Sequence, residues 1–170
     1  GFGLLLLLAG LQLADRGGWS LGFTGLALAS VQAVRLAGWY DRRLWRIPIL
    51  WVLYTGYLWL IAGFALFGLA ALDAFPRNLA LHALTLGAIG VFTLGMMARV
   101  SIGHTGREME LGSWMVLAFI ILNVASIIRV ILPVFIHDYY LQLIQLASGL
   151  WIVNSFYSVG YMRGNRERNQ

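Results

Sequence analysis

The chain has 170 residues, of which 60% are hydrophobic and 11% are charged, and its formal net charge is +5. Soluble domains typically carry about 25% charged and about 45–50% apolar residues, so this composition excludes a soluble fold and a disordered chain. The chain contains no cysteine, and it therefore offers no disulfide scaffold, iron–sulfur cluster or cysteine-bound zinc site. The class of protein that this composition leaves is a polytopic helical membrane protein, with the lipid bilayer as its expected partner.

Six apolar runs follow one another along the chain, at residues 1–14, 19–38, 48–72, 78–100, 112–136 and 140–162. Each of the last five has 20–25 residues, enough to cross about 30 Å of hydrocarbon at about 1.5 Å per residue. The sequence therefore predicts an all-α transmembrane bundle with five complete spans and one truncated N-terminal span, forming a single domain. Because the chain begins at Gly1 inside an apolar run, we expect it to be a fragment of a longer protein.

The basic residues are all arginine, and their distribution predicts the orientation of the bundle. Nine lie in alternate loops and at the C-terminus, namely Arg35, Arg42, Arg43, Arg46, Arg99, Arg107, Arg163, Arg166 and Arg168. The opposite side has only Arg16 and Arg77. The positive-inside rule places the richer side, and with it the C-terminus, in the cytoplasm. Charge scattered over short loops in this way is a topology signal, so we expect no nucleic-acid partner.

The fourth run carries a histidine beside small residues. With 3.6 residues per turn, one stripe holds His82, Thr85, Ile89, Thr93 and Met96, and an adjoining stripe holds Ala83, Gly87, Gly90 and Ala98. Small residues let a neighbouring helix or a flat cofactor approach the backbone. His82, just inside the predicted outer boundary, is thus a candidate ligand for haem iron or copper. The alternative is a histidine that hydrogen-bonds to an adjacent helix or to interfacial water.

A second histidine, His104, follows the same run at the predicted cytoplasmic boundary. It lies 22 residues after His82, about 33 Å if helical, so the two cannot bind one metal ion. Glycines beside His104 permit a tight turn whose backbone N–H groups bind an anion, and Arg99 and Arg107 are placed to pair with a haem propionate. The alternative is a structured loop with interfacial arginines.

Arg129 lies within the fifth run, with Asn123 and Ser126 at three-residue steps before it. A guanidinium at this depth must reach the interface or find a partner. The candidate partners are His137, Asp138, a carboxylate of another helix, or a haem propionate. Arg129 is therefore a further candidate for cofactor binding.

The sixth run carries a polar face with Gln142, Gln145, Ser148 and Ser155. Polar side chains in a membrane span usually hydrogen-bond across helices or line a cavity. This face leaves open a transporter or channel-like bundle in which Arg129, Asn123 and Gln145 line a path for a small solute. A purely structural membrane subunit is also open, and the sequence does not decide whether the protein is an enzyme.

Residues 82–107 read HALTLGAIGVFTLGMMARVSIGHTGR and resemble the signature of the NnrS family, and residues 48–60 resemble that family as well. The resemblance implies a haem- and copper-containing protein of the bacterial inner membrane, linked to denitrification, the nitric oxide response and resistance to nitrosative stress. Nitric oxide or a related small molecule is then the expected ligand. Family members are longer, so the resemblance also implies a missing N-terminal half as a partner. It assigns cofactor binding to His82, Arg99, His104 and Arg107.

Overall fold

The structure is a computed structural model that describes residues 3, 18–103, 113–136 and 139–167. All regular elements within these residues are helical. They are α1 (Trp19–Ala37), a 3₁₀ helix (Arg42–Arg46), α2 (Pro48–Ala71), α3 (Arg77–His82), a π-helical segment (Ala83–Gly90), α4 (Val91–Gly103), α5 (Ser113–Val130), α6 (Leu132–Phe135) and α7 (Tyr140–Glu167). The predicted truncated span at residues 1–14 lies outside the described residues.

Four helices are long and apolar enough to cross a membrane: Trp19–Ala37, Pro48–Ala71, Arg77–Val100 and Ser113–Phe135. They coincide with the second to fifth predicted runs to within one residue at each end. This agreement supports a lipid bilayer as the surroundings of the chain. The sixth run forms α7, whose polar residues lower its hydropathy, and α7 is not among the four. The total of five complete spans therefore stays a prediction.

The helix ends follow from local chemistry. The Asp41 carboxylate accepts a hydrogen bond from the backbone N–H of Arg43 at 2.8 Å and so begins the 3₁₀ helix. Pro48 occupies the first turn of α2, where a missing N–H costs little. Pro133 interrupts the fifth run, because it has no N–H to donate to the carbonyl of Arg129. Helix α5 consequently ends at Val130, one residue beyond Arg129.

Two kinds of packing hold the bundle together. Between α1 and α2 the backbones approach closely at glycines, and a Cβ added to Gly25 would lie 2.9 Å from the Cα of Gly68. Between α2, α4 and α5 a core of larger side chains is buried, comprising Val52, Val91, Leu94, Ala98, Met115, Ala118, Phe119 and Leu122. The outer surface is also apolar, with Phe135 and Phe156 each 78% exposed, as expected for a surface that faces lipid.

The structure keeps the two faces predicted for the fourth run. After the half-buried His82, the residues of its stripe are exposed, so that stripe lies on the outside of the bundle: Thr85, Ile89, Thr93 and Met96. In the adjoining small-residue stripe, Ala83, Gly87 and Ala98 are buried. Gly87, in the small-residue stripe, is covered by a neighbouring helix, because a Cβ there would lie 2.6 Å from the Trp59 ring.

Candidate functional site

Two predicted site residues, His82 on α3 and Arg129 on α5, are in direct contact. Nη2 of Arg129 lies 2.7 Å from Nε2 of His82. A guanidinium stays protonated and can only donate, so Nε2 of the imidazole accepts this hydrogen bond. His82 is therefore a neutral imidazole that carries its proton on Nδ1. Of the partners predicted for Arg129, none is His82, and this pairing is a finding of the structure alone.

The pair opens onto a cleft of about 480 Å³ between α3 with its π-helical extension, α5 and α7. The cleft is lined by His82, Thr85, Leu86, Arg129, Ala147, Ser148, Trp151 and Ile152. Most of this lining is apolar, with a few polar groups at defined positions. That combination is typical of a site for a small molecule or cofactor.

Neighbouring contacts fix His82 in place. One turn earlier on α3, Nδ2 of Asn78 donates a hydrogen bond to the Tyr140 hydroxyl at 3.1 Å, which ties α3 to the start of α7. The π-helical segment begins directly after His82, and π-helical turns are frequent at functional sites. The Thr85 hydroxyl donates to the carbonyl of Leu81 at 3.0 Å. His82 is thus held between a cross-helix contact and an irregular turn.

Arg129 is positioned by the end of α5 and by Tyr140. Its guanidinium carbon lies 6.0 Å from the centre of the Tyr140 ring, within reach of a cation–π interaction. Tyr140 therefore contributes to the surroundings of this arginine. The predicted polar stripe before Arg129 is used for packing, because Asn123 accepts a hydrogen bond from Nε1 of Trp59 at 3.1 Å. Ser126, which is fully buried, donates to the carbonyl of Leu122 at 2.9 Å.

The charge of Arg129 has little compensation. None of the four candidate spans contains Asp or Glu, and the partner His82 is neutral. Nη1 of Arg129 is buried and has no hydrogen-bond partner among the described residues. A buried donor without a partner costs about 1–3 kcal/mol, and more when it is charged. The guanidinium of Arg129 therefore has a positive charge and an N–H donor with which it can bind an anionic group.

Of the remaining predicted site residues, only Arg99 is described, and it does not line this cleft. Arg99 is exposed on α4, toward the opposite end of the helical run that begins with His82. His104 and Arg107 lie outside the described residues, as do His137 and Asp138. Of the three residues proposed for a transport path, Arg129 lines the cleft, whereas Asn123 and Gln145 do not.

The fit to a metal centre can be tested on the donors present. Across residues 18–103, 113–136 and 139–167, no group of three or more His, Cys, Asp or Glu side chains is placed to hold a metal ion. His82 supplies one nitrogen donor of the right type, but its Nε2 lone pair is engaged by Arg129 in this arrangement. Arg129 itself suits a carboxylate such as a haem propionate. The described residues thus offer one nitrogen donor and one arginine that suits a carboxylate, without a complete set of metal ligands.

Sequence reasoning missed several contributors to the cleft. Ala147, Trp151 and Ile152 on α7 were not singled out, because nothing in their local pattern distinguishes them from lipid-facing residues. Asn78 was missed as well, although a polar residue at the start of a span is a signal for a contact at the interface. Thr85 and Ser148 did belong to stripes that the sequence had marked.

Comparison with known proteins identifies the family of the chain. No curated protein and no solved structure matches it. The model of one protein family, described as NnrS protein, matches residues 1–162. That match covers nearly the whole chain, including both the predicted signature at residues 82–107 and the helices that build the cleft. The chain therefore belongs to the NnrS family.

Proposed function

We propose that this protein is a haem- and copper-containing protein of the bacterial inner membrane that serves the nitric oxide response and resistance to nitrosative stress. Membership of the NnrS family supports this proposal, and so do the four apolar helices. The observation that carries it is the cleft in which His82 and Arg129 meet. The C-terminus is proposed to face the cytoplasm, where the arginine-rich loops lie.

In this proposal His82 is the metal ligand of the described part of the chain. Its Nε2 would have to be released by Arg129, or the imidazole would bind through its other nitrogen. Arg129 would hold a carboxylate of the cofactor, since a guanidinium binds carboxylates with two parallel hydrogen bonds. Further ligands would come from outside the described residues.

The cytoplasmic end of the same helical run has a separate role in the proposal. Arg99, together with His104 and Arg107, would hold an anionic group such as a propionate, or would order the loop at the membrane surface. A bound haem iron or copper ion would supply a coordination position for nitric oxide or a related small ligand. Whether the protein turns over a substrate is left open by this assignment.

An optical spectrum and metal analysis of the purified full-length protein test the proposal. We expect a haem absorption band that is lost in His82→Ala and in His82→Gln. The glutamine variant is the sharper of the two, because its side-chain carbonyl can still accept the hydrogen bond from Arg129 while the imidazole donor is gone. Ser30→Ala, an exposed position on α1 far along the chain from the cleft, is the control and should keep the spectrum. A folded full-length protein without colour or metal would contradict the assignment.

A further inference from the structure

We propose that Arg129 is the centre of an oxyanion site, in which the cleft between α3, α5 and α7 binds a carboxylate or an isosteric planar anion. This proposal extends the carboxylate-binding role that the proposed function gives to Arg129, and it requires no metal. It stands on the charge of Arg129, on its unused donors and on the shape of the cleft.

The charge of Arg129 calls for a partner of opposite sign. A guanidinium keeps its proton under all ordinary conditions, so it cannot become neutral inside the membrane as a histidine can. Ionisable groups in membrane spans almost always pair with one another or mark the path or site of a ligand. Here the contacting side chain, His82, is neutral, and the candidate spans contain no carboxylate. An anion in the cleft would supply the missing charge.

The donors of Arg129 are also incompletely used. Nη2 donates to His82, whereas Nη1 is buried and unpaired within the described part of the chain. The planar fork of a guanidinium matches two oxygens of a carboxylate or a nitrate. Ser148, which lines the cleft from α7, offers a hydroxyl as a further donor. This set of donors favours a planar oxyanion over a neutral molecule.

The walls of the cleft limit the kind of ligand. Leu86, Trp151 and Ile152 give it an apolar lining, and its volume of about 480 Å³ exceeds that of a formate or nitrate ion. Two sources of the same chemistry therefore fit: a small free oxyanion, or the carboxylate end of a larger apolar ligand. Either would bind to Arg129 beside His82, through donors that the imidazole does not use.

The first experiment titrates formate and nitrate into the full-length protein in phosphatidylcholine nanodiscs, at ionic strength held constant with chloride. The thermal unfolding midpoint is the readout, since a ligand that binds the folded state raises it. We expect both anions to raise the midpoint. In Arg129→Gln, the anion concentration that gives half of the maximal rise should increase about tenfold or more. Arg77→Gln is the matched control, because Arg77 is an exposed arginine that does not line the cleft. It should behave like the unmodified protein.

The second experiment separates the two sources by comparing decanoate with its methyl ester under the same conditions. Stabilisation by decanoate, by formate and by nitrate identifies a small-anion site. Stabilisation by decanoate alone identifies the carboxylate of a larger ligand, and both results support the proposal. Equal effects of decanoate and its ester, or anion effects that Arg129→Gln leaves unchanged, would overturn it.

A second variant keeps Arg129, so that a loss of anion binding is not confused with a loss of folding. Ile152 is 50% exposed, and Ile152→Trp would fill the cleft while leaving the contact between Arg129 and His82 in place. We expect this variant to fold and to lose the anion-dependent rise of the midpoint. If it binds formate and decanoate as the unmodified protein does, the site is not this cleft. The titrations use the full-length protein free of haem, because a propionate held by Arg129 would already occupy the cleft. Since the readout is independent of colour and metal content, its failure is distinguishable from failure of the haem and copper proposal.

Discussion

The helix pair α1 and α2 and the helix group α3, α5 and α7 are packed in opposite ways. In the first, glycines bring two backbones together, and a Cβ on Gly68 would lie 2.9 Å from the carbonyl oxygen of Gly22. In the second, long polar side chains join the helices through the pairs Asn78–Tyr140 and His82–Arg129. The glycine contact leaves no space, whereas the side-chain contacts border a cleft of about 480 Å³. Close backbone packing thus provides stability, and side-chain packing provides room for a ligand.

The largest effect is expected from a substitution that disrupts the glycine contact between α1 and α2. Gly25→Leu places side-chain atoms against the backbone of α2, because even its Cβ would lie 2.9 Å from the Cα of Gly68. Backbone cannot move aside as a flexible side chain can, so we expect a loss of at least about 3 kcal/mol in the free energy of unfolding. Gly149→Leu is the matched control, since nothing lies within 4 Å of a Cβ there. Equal destabilisation of both variants in thermal unfolding would contradict the comparison.

The next effect concerns the side-chain contact of the cleft. His82→Ala removes the acceptor of Nη2 and leaves the guanidinium without its one side-chain hydrogen bond, at a cost of about 1.5–3 kcal/mol. Arg129→Met removes the charge itself, and replacing a poorly compensated charge by an apolar chain is often neutral or stabilising. The thermal unfolding midpoint of His82→Ala should therefore be lower than that of Arg129→Met. The reverse order would mean that the charge of Arg129 is well compensated.

A smaller loss of stability is expected from removing a hydrogen bond between α2 and α5. Trp59→Phe keeps most of the ring but removes the N–H that donates to Oδ1 of Asn123 at 3.1 Å. Nδ2 of Asn123 still donates to the carbonyl of Phe119, so one acceptor alone is left unpaired. We expect a loss of about 1–2 kcal/mol in the free energy of unfolding. A loss near zero would indicate that water replaces the indole.

The smallest effect belongs to the contact at the membrane surface. A double-mutant cycle with Asn78→Ala and Tyr140→Phe should give a coupling energy of about 0.6 kcal/mol, typical of hydrogen bonds between membrane helices. Both single variants should also speed hydrogen exchange at the start of α7, because that contact ties it to α3. A coupling energy of zero would show that packing alone holds α7 there.

The sequence predicts the spans well because their signal is local. Twenty apolar residues in a row indicate a membrane helix wherever they occur, and four runs match the observed helices to within one residue at each end. The break at Pro133 is equally local, since it follows from a missing N–H.

The candidate site was predictable only in part, because it depends on which helices are neighbours. His82 and Arg129 were each singled out as polar groups near the outer boundary of an apolar run, yet 47 residues separate them and no periodicity relates their helices. The π-helical segment left no recognisable pattern in the sequence either. The lining from α7 became apparent only with the packing of the whole bundle.

The depth of Arg129 has a consequence for the membrane itself. Helix Ser113–Phe135 has 23 residues, about 34 Å of helix, but a charged group interrupts it at the seventeenth residue. The uninterrupted apolar length is then about 25 Å, which is shorter than a typical hydrocarbon core of about 30 Å. A bilayer adapts to such a mismatch by thinning locally. Headgroups and solvent should therefore lie closer to the bilayer centre at this point, which would give a polar solute a shortened route from the nearer membrane surface to the guanidinium.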